Sequence, residues 1–150
     1  KKPEVIAPGT HITGTQAVNN TGDGTCDAAR PAGSTVFNAS SGTSHSGPAV
    51  AGVASLVDYW IRNDRGAIDF GPGGVPASPS PAAQKAWMMA HPTYRTGVGA
   101  NDTLPSNTQG YGMPRLDAMF NDEPKLVVDQ TQVFGATGEQ FQFIGSVANS

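Results

Sequence analysis

From Ser44 to Val57 the chain carries no charged residue, and its apolar positions follow the spacing of a single helix face. Val50, Val53, Ala54, Val57 and Ile61 fall at i, i+3, i+4, i+7 and i+11, with Leu56 and Trp60 widening the stripe. The pattern predicts a helix ending near Asn63, before Gly66. The lack of charge predicts that it is central and buried on most sides. Ala51 and Gly52 suit close packing of neighbouring backbone, and Pro48 fits only near the helix start, where a missing N–H costs little. A second helix is predicted over Ala82–Ala90, started by the capping run Ser78-Pro79-Ser80-Pro81 and stopped at His91-Pro92. Trp87 and Met88 on it read as core residues.

Shorter apolar runs predict strands. Glu4-Val5-Ile6-Ala7 is stopped by Pro8-Gly9, and Ser34–Ala39 leads into the turn at Ser41-Gly42. Between them, His11 to Arg30 is polar and rich in Gly, Asn and Thr, and reads as a long surface loop. Phe70 to Pro76 is a loop by composition. After Asn121-Asp122-Glu123-Pro124 the pattern changes: Leu126–Val128 and Thr131–Phe134 are strand-like, and Gln140–Ile144 alternates at period two.

Composition narrows the class. Of 150 residues, 37% are hydrophobic and only 14% charged, with 19 Gly and 12 Pro, which suits a loop-rich globular protein better than a helical bundle. A net charge of −3 without any Lys/Arg cluster offers nucleic acid no electrostatic footprint. No apolar run is long enough to span a bilayer, and no basic-then-apolar leader opens the chain at Lys1-Lys2-Pro3. The single cysteine, Cys26, cannot form an intrachain disulfide. Asp23 and Asp27 suit either a hard-cation loop or, more simply, a solvated turn. Three tripeptides, beginning at Asn19, Asn38 and Asn101, fit the glycosylation acceptor pattern, which chance also supplies often.

The chemistry concentrates where the turn meets the long helix. Ser41-Gly42-Thr43-Ser44-His45-Ser46-Gly47-Pro48 sets the Ser44 hydroxyl at a helix N-terminus, where unpaired N–H groups and the helix dipole favour negative charge. A nucleophilic serine needs this setting, because its transition state places an oxyanion beside the attacking oxygen. The stretch resembles the serine motif of subtilisin-like serine proteases, in which Gly-Thr-Ser is followed by a proline and an apolar helix. Lys2-Pro3-Glu4-Val5-Ile6-Ala7-Pro8-Gly9 is similar to the Lys-Pro-Asp-x-x-Ala-Pro-Gly segment that precedes the motif there, with Glu4 in place of Asp. Ser80 to Met89 resembles the Ser-Pro-x-x-x-Lys-x-x-Leu helix that follows it. Gln109-Gly110-Tyr111-Gly112 with Arg115-Leu116-Asp117-Ala118 resembles the segment and short helix that close the catalytic domain.

The resemblance implies an α/β fold, part of a subtilisin-like three-layer arrangement with a parallel sheet and buried helices. Residues 1–120 would be the C-terminal half of the catalytic domain, with Glu4–Ala7 a parallel core strand. Residues 121–150 would begin a C-terminal β-sandwich, truncated here. It also implies that Ser44 is the acyl-forming nucleophile, supported by Gly42, Thr43 and Pro48, with Asn38, Ala39 and His45 lining the leaving-group side. No metal ligand set is assigned, although calcium is common in the family. The triad's Asp and His and the oxyanion Asn would lie upstream. His11 is not in the family's His-Gly-Thr order. His45 is adjacent to Ser44 and about 100° away around the helix. His91 reads as a helix-end residue.

The partners implied are a protein or peptide substrate and the upstream half of the domain, with no nucleic acid and no membrane, in a secreted or extracellular enzyme. Two other readings exist. One is a non-catalytic subtilase-like binding or structural module. The other is a different α/β hydrolase, whose Gly-x-Ser-x-Gly elbow fits as far as Ser44 and fails at Ser46. Where His45 stands, most subtilases have Met, and a thioether beside the nucleophile is open to sulfoxide formation. The expected outcome is that the intact enzyme keeps more activity after peroxide treatment than its His45→Met variant. Equal losses would remove this role for His45, leaving a polar residue lining the cleft.

Overall fold

The computed structural model describes residues 2–16, 34–64, 68–70, 74, 78–98, 100, 105–130, 133–142 and 144. Its elements in chain order are β1 (Ile12–Thr15), β2 (Phe37–Ser40), α1 (Thr43–Asn63), β3 (Ile68–Asp69), α2 (Pro81–Ala90), β4 (Pro92–Thr93), β5 (Met113–Pro114), α3 (Leu116–Met119) and β6 (Lys125–Leu126). The strands form three two-stranded sheets. β1 with β2 and β4 with β5 are antiparallel, and β3 with β6 is parallel. Mixed helix and strand with a small parallel sheet accords with an α/β fold.

The core lies where α1 meets α2. Val57, Trp60 and Ile61, spaced i, i+3, i+4, pack with Phe70, Trp87, Met88 and Met119. The Trp60 ring lies 5.7 Å from Trp87 and 5.3 Å from Phe120, both tilted by 48°. Fully burying one such side chain contributes roughly 1.5–3 kcal/mol, so this cluster is the main reason the two helices stay together. Each helix has the end its sequence predicts. α1 stops at Asn63. On α2 the Ser80 hydroxyl accepts the Ala83 N–H at 3.0 Å, and Pro81 takes the first helical position, where no N–H is needed.

Burial of α1 differs from the expectation. Full burial is confined to its last turns, at Val57, Trp60 and Ile61, while Val50, Val53 and Ala54 are only partly buried against the core. Leu56 and Tyr59 are 47% and 66% exposed, and a Cβ placed on Gly47 or Gly52 would meet open space. The described residues supply one covering layer, α2 with Phe70 and Met119, which buries the last turns of the helix fully and Val50, Val53 and Ala54 in part. The small residues at 47–52 therefore have no backbone packed against them among the described residues.

Residues 4–7 also depart from the reading as a parallel core strand. They carry no regular strand. The Ile6 N–H donates to the Gly112 carbonyl at 3.1 Å, and the Tyr111 N–H donates to the Glu4 carbonyl at 2.8 Å. Pro3 and Pro8 bracket the run and bring no N–H of their own to a ladder. What the run does find is the Gln109–Gly112 turn. Gly110 has φ 58°, and a Cβ there would overlap the Pro3 and Glu4 carbonyl oxygens; at Gly112, with φ 117°, it would lie 2.6 Å from the Thr93 carbonyl. Gln109 is buried and pairs with residue 95 as a strand would: its side chain accepts the Arg95 N–H at 2.8 Å and donates to the Arg95 carbonyl at 2.7 Å. The Glu4 side chain bonds Lys2 and, from α2, Lys85. The two ammonium groups lower its carboxyl to about 2.

The expected loop from His11 to Arg30 begins instead with β1, whose Ile12, Thr13 and Thr15 favour extended chain. Residues 17–33, with Asp23, Cys26 and Asp27, lie outside the described residues, as do Asn19 and Asn101. The strand predicted over 126–128 starts at Lys125 and pairs with β3, continued by the Val127 N–H to the Asp69 carbonyl at 2.8 Å. Asp129 then accepts the Ser80 N–H and hydroxyl at 2.7 and 2.6 Å, and the Gln130 amide donates to the Ser78 carbonyl at 2.9 Å. Strands were expected over 131–134 and 140–144, of which 131, 132 and 143 lie outside the described residues; the described residues 133–142 form no strand. Val133 and Phe134 are exposed, with no facing layer among the described residues to stabilise a lone ladder.

Two outcomes are expected. Gly110→Ala adds a methyl at positive φ against two backbone carbonyls that cannot swing aside, and should cost roughly 2 kcal/mol or more by urea unfolding. For Asp129, partial burial works to raise the carboxyl, but the Ser80 hydrogen bonds outweigh it and hold it below the ordinary carboxylate value. A lowered folded value means stability that is fully present above the unfolded pKa and lost as pH falls through the folded one. Asp129→Asn should therefore cost about 1 kcal/mol at pH 7, at the low end for hydrogen bonds to a partly exposed charge, and progressively less as the pH falls below the ordinary carboxylate range to pH 2. Equal losses at both pH values would show that the charge is immaterial.

Candidate active site at the start of the long helix

β2 delivers the chain to the site, and α1 carries it away. Ser40 is the last strand residue, Gly42 is the N-cap with extended backbone, and Ser44 is the second helical residue. Gly42 caps without a side-chain hydrogen bond, so the turn is held by its surroundings. Its N–H donates to the Gly9 carbonyl at 2.7 Å, and its own carbonyl accepts the His45 N–H at 3.1 Å. The His11 N–H donates to the Ser41 hydroxyl at 2.9 Å. The Ser40 hydroxyl bonds His45 Nε2. Gly9 leaves no room for a side chain, since a Cβ there would overlap the Ser46 hydroxyl and lie 2.8 Å from the Gly42 carbonyl.

Ser44 itself is exposed, and its hydroxyl has no hydrogen-bond partner among the described residues. Its Oγ lies 3.3 Å from where a Cβ of Gly42 would stand, so the missing side chain at 42 keeps the hydroxyl unobstructed on that flank. Ser44 is the second residue of the first helical turn, where N–H groups such as its own lack an i−4 acceptor within the helix. No Asp, Glu, Lys or Arg occurs between residues 31 and 57, which leaves the helix dipole as the nearest fixed field. Such a site can lodge an anionic oxygen beside the hydroxyl.

The other predicted residues are placed as follows. Thr43 is exposed as the first helical residue. Pro48 sits at the sixth, deeper than the predicted start. Its missing N–H there leaves the Ser44 carbonyl without its i+4 donor. Asn38 turns its Oδ1 onto the Ala39 N–H at 2.9 Å, and Ala39 is 1% exposed with its methyl inside. His45 is half-buried and engaged with Ser40. His91 stands at the end of α2, its Nδ1 against the Trp87 carbonyl and its ring 4.9 Å from that indole. His11 is exposed with φ 53°. The carboxylates of Asp58 and Asp129 are bonded to Arg62 with Ser78, and to Ser80. Among the described residues, no imidazole is hydrogen-bonded to the Ser44 hydroxyl.

Gly9, Ser40, Ser41 and the His11 amide escaped the sequence reading. Pro8-Gly9 signalled only the stop of an apolar run, and a contact between residues 9 and 42 leaves no local periodicity to detect. Among the described residues, no group of His, Cys, Asp and Glu could hold a metal ion, and no helix is long and apolar enough to cross a membrane.

No curated protein and no solved structure matches the chain. A model of the subtilase family matches residues 1–112, a span holding the Lys2–Gly9 segment, the Ser44 turn, α2 and the Gln109–Gly112 turn. With most of its length matched in this way, the chain belongs to the subtilase family.

Proposed function

We propose that Ser44 is the nucleophile of a subtilisin-like serine endopeptidase, and that its base, orienting carboxylate and oxyanion Asn come from polypeptide other than residues 1–150. One observation carries the reading: an unpartnered, exposed hydroxyl on the first turn of a long helix that is uncharged as far as Val57, in a chain of the subtilase family. The three histidines of the chain point the same way. His45 is bonded to Ser40, His91 belongs to the end of α2, and His11 meets the turn through its backbone.

The chemistry is acyl transfer. Ser44 Oγ attacks the scissile carbonyl carbon while a histidine outside these residues takes its proton. The tetrahedral oxyanion accepts the Ser44 N–H and the donor supplied from elsewhere. The amine leaves with the proton, and water, activated by the same base, releases the acid. The substrate is a protein or peptide, and the enzyme is secreted. The exposed uncharged face of α1, with Leu56 and Tyr59, suits coverage by the remainder of a catalytic domain. A non-catalytic module is the second reading, favoured by the lack of a paired base at Ser44 among the described residues.

The test is labelling by a fluorophosphonate probe, which reports an activated serine hydroxyl. The 150-residue chain alone should label at least about 100-fold more slowly than the intact protein, since a positioned base contributes that much or more. Ser44→Ala should abolish labelling of the intact protein. Rapid, stoichiometric labelling of the isolated chain would place a base within residues 1–150. An intact protein that never labels would support the binding module.

A further inference from the structure

We infer that Ser40 and His45 form a side-chain clasp that holds the nucleophile's turn in register, making Ser40 a positioning residue for catalysis. The inference rests on the reading of Ser44 as nucleophile. Successive helical residues diverge by about 100°, so the His45 ring leaves α1 on a different side from Ser44 Oγ. It reaches back to the end of β2, where its Nε2 bonds the Ser40 hydroxyl. Both side chains are half-buried. The bond closes a ring around Ser41, Gly42, Thr43 and Ser44, so the nucleophile's backbone is pinned on both flanks by one contact. A hydroxyl suits this partner, because it donates to neutral imidazole and accepts from the charged ring.

The clasp matters because little else within the helix stiffens this turn. Gly42 provides no side-chain cap, and Pro48 removes the N–H that would have bonded the Ser44 carbonyl. Within the turn the His45 N–H bonds the Gly42 carbonyl, and Gly42 N–H to Gly9 and His11 N–H to Ser41 fix it from the side of residues 9–11. Ser40 and His45 tie it to β2, the strand that precedes it. An oxyanion donor acts only when aimed at the place where charge develops, and a displacement of about 1 Å costs up to about 100-fold in rate.

The experiment measures kcat and KM of the intact protease on a peptide substrate, with kcat expressed per active site titrated by the fluorophosphonate. Ser40→Ala should lower kcat about tenfold, the rate equivalent of one hydrogen bond, and leave KM unchanged. Ser40→Thr, which keeps the hydroxyl, should recover kcat to within about threefold of the wild type. Ser40→Ala combined with His45→Ala should be no slower than His45→Ala alone, because both changes open the same bond. Wild-type kcat per titrated site in Ser40→Ala would overturn the inference, as would losses that multiply in the double variant. Ser44→Ala separates the two readings. If it still labels, the assignment of the nucleophile fails; if it does not label while Ser40→Ala is unimpaired, only the clasp fails.

Discussion

The packing of Trp60 against Trp87 and Phe120 holds α1 and α2 together, and the placement of everything else follows from it. α1 is anchored most firmly by its last turns, through Val57, Trp60 and Ile61, with Val50, Val53 and Ala54 partly buried against the same core and only the turn before them free of it. The residues with chemistry to offer are at that free end. α2 gathers the remaining segments at its middle and around its two ends. Glu4 reaches Lys85, Asp129 holds the Ser80 cap, and Thr93, just past the helix, receives the Gln109–Gly112 turn. The fold is thus a set of ties to α2, with α1 as a beam seated most firmly at one end.

What the sequence revealed depended on how local each signal was. The start of α2 was legible because Ser80, Pro81 and the Ala83 amide settle it within four residues. The end of α1 and the core role of Trp87 and Met88 were legible through periodicity. The run Glu4–Ala7 was misread because apolar composition shows that a segment is covered, not which hydrogen-bond partners it has; these turned out to be Tyr111 and Gly112, more than a hundred residues away. β1 was missed because Thr-Gly-Thr reads as loop until a partner such as Phe37–Ser40 is laid beside it. The absence of charge from Ser44 to Val57 was a true signal of an apolar face, yet it gave no information on what the face meets.

The candidate site divides in the same way. Gly42-Thr43-Ser44 and the helix behind it were legible, because a hydroxyl at a helix N-terminus is a local arrangement with a chemical consequence. The supports of that turn were not. Gly9, Ser41 and the Ser40–His45 contact arise from chain segments meeting across the turn, and each involves residues common enough in loops to attract no notice. His45 was noticed as the neighbour of Ser44, and nothing local in the sequence announced that its ring bonds the end of β2.

Pro48 gives the helix a break of mechanical kind. A continuous ladder would make the first turn move as one with the buried end, so that any adjustment near Trp60 would travel straight to residue 44. With the Ser44 carbonyl released from that ladder, the first turn takes its bearings from β2 and residues 9–11 instead. The helix core can then accumulate substitutions, or shift slightly as it is covered, while the hydroxyl stays referenced to a different part of the molecule. The beam and the fitting at its tip are separately mounted, and a sequence can vary one without re-aiming the other.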